Sequence, residues 1–94
     1  MYGIDIQDAL LGNSNLRSAR ISGANLMGAD LGGTDLRDSY LMRADLSKAN
    51  LRGADLRGAQ LDGAKLTGAI ADSHTCWPSG FDATTAGVVF GAEY

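Results

Sequence analysis

Few residues in this chain have the chemistry for catalysis or metal binding. It has one histidine, His74, and one cysteine, Cys76, set as a His-x-Cys pair. Imidazole and thiolate both ligate metals, but a closed zinc site takes four ligands, and no further His or Cys exists to complete one. No nucleophile–base pair stands out, and the carboxylates are spread along the chain rather than gathered. A phosphate-cradling G-x-x-x-x-G-K-[ST] run is absent. The remaining chemical candidate is a row of guanidinium groups. Arg17, Arg37 and Arg57 recur every twenty residues, each two places after Asn15, Asp35 or Asp55. Such a row suits anions or carboxylates, while its own neighbouring carboxylates can neutralise it. These residues argue against an enzyme and imply no cofactor and no metal.

The elements that position these side chains follow from a repeat of five. Leu or Ile stands at every fifth position from Ile6 through Leu66. Two places before each stands a second series, small in every case but Ile4: Ala9, Ser14, Ala19 and onward to Ala64. Gly often follows two places after, as at Gly23, Gly28, Gly33, Gly53, Gly58, Gly63 and Gly68. A helix would carry an i, i+5 series around its surface, leaving no fixed apolar face. A continuous strand would throw successive leucines to opposite faces. Within one pentad the small residue and the Leu point the same way, so the chain must turn a corner once per pentad. Gly tolerates the positive φ that such a corner requires. Four corners close a coil of twenty residues, and coils stack at the interstrand spacing of about 4.8 Å.

The pentads ANLMG at 24–28, ADLGG at 29–33, ADLSK at 44–48, ANLRG at 49–53 and ADLRG at 54–58 resemble the A(D/N)LXX pattern of the pentapeptide-repeat family. The resemblance covers positions 4 to about 73. It implies an all-β fold, a right-handed quadrilateral β-helix of about 3.5 coils at twenty residues each, with Leu and Ala inside, and it implies a bacterial chain. Leu10, Arg20, Tyr40, Gln60 and Lys65 depart from the pattern where Asp or Asn is usual, and they are expected to face outward.

A single domain of 94 residues is expected, with the β-helix at 4–73 and a cap at 74–94. The cap is rich in large side chains, and Asp82 through Gly87 reads as a one-turn helix with an N-cap and a Gly stop. It serves either as a lid on the last coil or, through Val88, Val89 and Phe90, as a partner contact. The first coil has no comparable cover. A longer solenoid, end-to-end homodimerisation or a tolerated short edge would each account for that. If the twenty-residue register persists into the cap, His74 and Cys76 fall inward and Trp77 stacks beside Arg57. Mid-stack, Tyr40 and Met42 face outward with Met27 just around a corner, forming an apolar patch suited to a partner.

Net charge is −3, with 11 acidic and 8 basic side chains, and hydrophobic residues make up 45%. This is the composition of a folded chain, not of a general nucleic-acid binder. No apolar run approaches the roughly 20 residues that span a bilayer, and no basic-then-apolar leader opens the sequence, so a cytoplasmic chain with no membrane partner is expected. The favoured function is a non-enzymatic module that presents fixed side-chain columns to a protein partner. The alternative implied by the family is an inhibitor or protector of DNA gyrase that imitates duplex DNA. The inward and outward assignments can be checked directly. Leu41→Asp buries an unpaired carboxylate and should cost several kcal/mol, roughly the whole stability of a small domain. Arg43→Asp, two residues away and outward, should leave the thermal midpoint almost unchanged. Equal melting of the two variants would refute the assignment.

Overall fold

The computed structural model describes residues 4–91. Its main chain forms a four-sided coil whose turns pair in parallel at a spacing of twenty residues. Asp5 pairs with Asn25, Asn25 with Asp45, and Asp45 with Lys65 along one wall. Equivalent ladders run through Leu10–Asp30–Asn50–Ile70, Asn15–Asp35–Asp55 and Arg20–Tyr40–Gln60.

Every corner has the same construction. The residue two places after the Leu or Ile has positive φ in all thirteen pentads, from Asp8 (58°) to Gly68 (74°). The next small residue donates its N–H back to that Leu or Ile carbonyl, as Ala29 does to Leu26 at 3.0 Å and Ala54 to Leu51 at 3.0 Å. One left-handed residue and an i→i+3 bond are the features of a type II turn. Six corners do without glycine: Asp8, Asn13, Ser18, Asp38, Arg43 and Lys48. Asp and Asn tolerate this region; for Ser, Arg and Lys it costs roughly 1–2 kcal/mol each. At Gly33 and Gly58 a side chain is disfavoured on two counts. The backbone is left-handed, and a Cβ would collide with the carboxamide of Asn13 or the carboxylate of Asp38 one coil above.

The Asp/Asn preference has an equally local cause. Each Asp or Asn before a core Leu or Ile accepts, through Oδ1, the N–H two residues ahead. Asp30 takes Gly32 at 3.0 Å, Asp45 takes Ser47 at 3.0 Å and Asn50 takes Arg52 at 3.1 Å. These Asx turns satisfy a donor at the corner that the ladder leaves unmatched.

Inside, Leu26, Leu31, Leu36, Leu41, Leu46, Leu51 and Leu56 are fully buried beside Ala24, Ala29, Ala44, Ala49 and Ala54. The two fully buried hydroxyls of the small-residue columns have different outcomes. Thr34 Oγ1 donates to the Leu11 carbonyl at 2.9 Å, whereas Ser39 Oγ is buried without a partner. In the first coil Ile4, Ile6, Leu11 and Leu16 are only partly covered.

After Leu66 the register changes. β1 (Ile70–Ala71) keeps the coil spacing, but Asp55 pairs with Cys76, twenty-one residues on. One extra residue has been taken up at the corner between them. Asp72 Oδ1 accepts the Gly53 N–H at 3.1 Å, where a main-chain carbonyl does so in the regular coils. Thr75 then occupies the small inward position, and its hydroxyl reaches the Leu51 carbonyl at 2.8 Å, just as Thr34 reaches Leu11. This overturns the expected register of the cap. His74 sits exposed at the corner with Nδ1 3.9 Å from Asp72 Oδ2. Cys76 lies on the outward ladder. Trp77 moves inward and stacks on Phe81 (centroids 5.3 Å apart) instead of reaching Arg57.

The chain returns as β2 (Val89–Phe90), parallel to β1 with Ile70 opposite Val89. Before it, Asp82 caps the Thr85 N–H at 3.2 Å. The Gly87 N–H (φ +90°) bonds to Thr84 and the Val88 N–H to Ala83, both at 3.1 Å, which is a Schellman closure. The segment is a single capped turn, and no helix is formed among the described residues. Ala83 and Val88 join the buried core, with Trp77, Phe81 and Ala86 packed against it.

Ser39 gives the sharpest test of this core. Ala19 and Ala59 occupy the same column one coil above and below, so Ser39→Ala should fit and remove an unsatisfied hydroxyl. It should stabilise the fold by about 1 kcal/mol, whereas Thr34→Ala should cost about 1 kcal/mol. Chemical denaturation of the two variants reads both signs. Gly58→Ala should destabilise by about 1–2 kcal/mol, and by less when Asp38→Ala clears the space above it.

Candidate interaction surface

With core and corners fixed, the outer columns determine what the molecule offers to others. On the wall of Leu16, Leu36 and Leu56, the arginine row is internally neutralised. Arg37 Nε and Nη2 bond to Asp35 at 2.9 and 2.8 Å, and Arg57 makes the same bidentate contact with Asp55. Arg37 Nε also lies 3.7 Å from Asp55 Oδ2, linking the coils. The hydrogen bonds from Arg37 hold the Asp35 carboxyl down at about 2, and those from Arg57 lower Asp55 likewise. Beside Arg17 stands neutral Asn15, whose Oδ1 accepts the Arg17 main-chain N–H at 3.1 Å, and the Arg17 charge adds to the lowering of Asp35. Two of the three guanidinium groups are therefore committed to their own wall, which leaves little of an anion-binding strip.

The next wall carries Leu41. Tyr40 and Met42 flank that leucine and face outward, with Tyr40 37% exposed. The Arg20 guanidinium lies 5.9 Å from the Tyr40 ring centre, a cation–π approach that pins the ring to the wall. Met27, also exposed, belongs to the adjoining wall across the corner.

At the foot of the Tyr40 wall the ladder stops. Among the described residues the Gln60 and Lys65 columns have no bridge partner in the coil below. Here the tail takes its own corner, with the Phe81 N–H on the Pro78 carbonyl at 3.1 Å and Gly80 at φ +79°. It stands away from the wall and leaves a cavity of about 390 Å³ lined by Ala59, Gln60, Leu61, Asp62, Pro78, Ser79, Gly80 and Phe81.

Of the three tail residues proposed from sequence as contacts, Val88 is buried, while Val89 and Phe90 are half-exposed on β2. Sequence reasoning did not find the open foot of the Tyr40 wall. Its signal was available in Pro78, which follows the inward Trp77 and supplies no N–H. Leu10, on the first coil, is 86% exposed.

The match to the family of pentapeptide repeats comprises eight copies over residues 4–41 and 39–71. Among solved structures, a pentapeptide repeat protein of Nostoc PCC 7120 is 40% identical with a TM-score of 0.57, over 93% of this chain and 84% of that one. One from the thylakoid lumen of Arabidopsis thaliana is 32% identical with a TM-score of 0.61, over 93% of this chain and 58% of that one. HetL, involved in heterocyst differentiation regulation in Nostoc sp. strain PCC 7120, is 30% identical with a TM-score of 0.52, over 82% of this chain and 42% of HetL. No curated protein sequence matches. The repeat, its four-sided coil and these neighbours agree that the chain belongs to the pentapeptide-repeat family, whose fold is the right-handed quadrilateral β-helix.

Proposed function

We propose that this chain is a non-enzymatic interaction module, a rigid β-helical block that presents the Tyr40–Met42 wall to a protein partner. The supporting observation is the preorganisation of that wall. Leu41 is anchored in the core, Tyr40 is held under Arg20, and the backbone between them is fixed by ladders on both sides. A partner meeting such a face has little ordering entropy to overcome. Tyr and Met are also residues that interfaces favour.

Duplex imitation has weaker support. DNA carries one charge per about 1.7 Å of axis, so an imitation matching this molecule's longest dimension of 33 Å would need roughly twenty uncompensated negative charges. The whole chain has 11 acidic residues against 8 basic ones, and Asp35 and Asp55 are already paired with arginine.

Photo-crosslinking in cells that naturally express the chain tests this proposal. A benzophenone residue at position 42 should trap a discrete protein species, and one at position 57, on the arginine wall, should not. The purified protein should leave gyrase supercoiling unaffected at large molar excess. No adduct from position 42, together with salt-sensitive gyrase inhibition, would replace the interaction module with the gyrase alternative.

A further inference from the structure

The foot of the Tyr40 wall is an interrupted parallel ladder. In the coil above, the pattern is complete: Gln60 N–H donates to the Ser39 carbonyl (2.9 Å), Leu41 N–H to the Gln60 carbonyl (2.9 Å), and Arg43 N–H to the Asp62 carbonyl (2.9 Å). One coil lower, the Ala59 carbonyl and the Leu61 and Gly63 N–H groups point the same way and make no hydrogen bond among the described residues. Two other walls of this coil are continued, by Ile70 and Cys76, and on the Lys65 wall the Gly68 N–H alone is met, by the Gly87 carbonyl at 3.0 Å. Beside Leu61 the tail leaves the roughly 390 Å³ cavity instead.

We infer that this gap is a docking groove for an extended peptide segment of a partner protein, added as one more parallel strand beneath Ala59–Gly63. The inference rests on the interaction-module proposal and specifies its partner's chemistry. The vacant backbone groups dictate the geometry. A first residue gives its N–H to the Ala59 carbonyl and its carbonyl to the Leu61 N–H. The second turns inward in the Ile21–Leu41–Leu61 column, between Leu61 and Phe81, and so must be apolar. The third offers its carbonyl to the Gly63 N–H and stacks beneath Asp62. Among the described residues Asp62 is the only charged one lining the groove, which favours Lys or Arg at this third position. The motif is therefore any residue, then an apolar one, then a basic one, in extended form. Strand addition of this kind draws affinity from main-chain bonds and selectivity from alternate side chains.

The probe is the acetylated, amidated pentapeptide Ala-Asn-Leu-Arg-Gly, which carries Asn-Leu-Arg in the required order. It is titrated into the full 94-residue protein labelled with 15N. The Leu61 and Gly63 amides should shift saturably, with half-saturation at or below about 1 mM, and their hydrogen exchange should slow. N-methylation of the peptide's Asn nitrogen should abolish binding. Asp62→Lys, an exposed change that leaves the fold intact, should weaken binding roughly two- to fivefold, and replacing the peptide's Arg by Glu should restore it. Absence of a saturable shift overturns the inference. So do shifts confined to the amides of Asp5, Leu10 and Asn15 at the opposite end, and so does undiminished binding of the N-methylated peptide. Position-42 crosslinking that persists alongside such a result would sink the groove and leave the interaction module standing.

Discussion

A left-handed residue at every fifth position is the constraint on which the rest of this molecule depends. It turns the chain through each corner, and only because it recurs without a miss does the Leu or Ile at every fifth position from Ile6 to Leu66 turn inward and the ladders up to Ile70 meet at a spacing of twenty. The leucines supply burial, but burial alone would be satisfied by many compact arrangements. The corner selects one. Its importance shows where it is met at a cost, as at Arg43 and Lys48, whose side chains adopt a backbone region that L-residues disfavour. The ladders on both sides hold them there.

The cap obeys the same logic with different parts. One surplus residue between β1 and Cys76 would, in an ordinary strand, flip every later side chain to the other face. Here a carboxylate stands in for a carbonyl. Burial would raise the Asp72 carboxyl, but the N–H bonds from Gly53 and His74 outweigh it and hold the group below its usual range. The inward sequence then resumes with Thr75 and Trp77, so the coil closes on aromatic rings instead of leucine.

Legibility in the sequence tracked this division. The repeat carried the coil, the inward series and the outward series, because each rests on a spacing that only one geometry accommodates. The Asp/Asn column was visible as a pattern, but its cause, a bond to the N–H two residues on, emerged from atomic positions. The cap was misread at His74, Cys76 and Trp77 because register was extrapolated across a place where a single insertion is absorbed by a side chain. Nothing in the types of Ala71 to His74 marks that event. The apolar character of Val88–Val89–Phe90 was equally plain, yet their division into one buried and two exposed residues depends on which follows the Gly87 turn. The groove escaped notice because it consists of backbone groups, which every residue possesses.

The Asx turns have a consequence for how such a molecule can acquire a new partner. In each pentad the small residue and the Leu or Ile are spent on packing and the corner residue on a restricted conformation, and in eight of the thirteen an Asp or Asn is spent on its own main chain. One position remains unencumbered, the residue just after the Leu. Read in order, those positions hold Gln7, Gly12, Arg17, Ser22, Met27, Gly32, Arg37, Met42, Ser47, Arg52, Arg57, Asp62 and Thr67, as varied a set as the two inward positions are monotonous. Evolution can therefore edit recognition here almost independently of foldedness. The solenoid behaves like a printed board with a fixed grid of sockets, and its specificity is a short text written in the letter after each Leu and in the few places, Tyr40 among them, where the Asp or Asn before it is replaced.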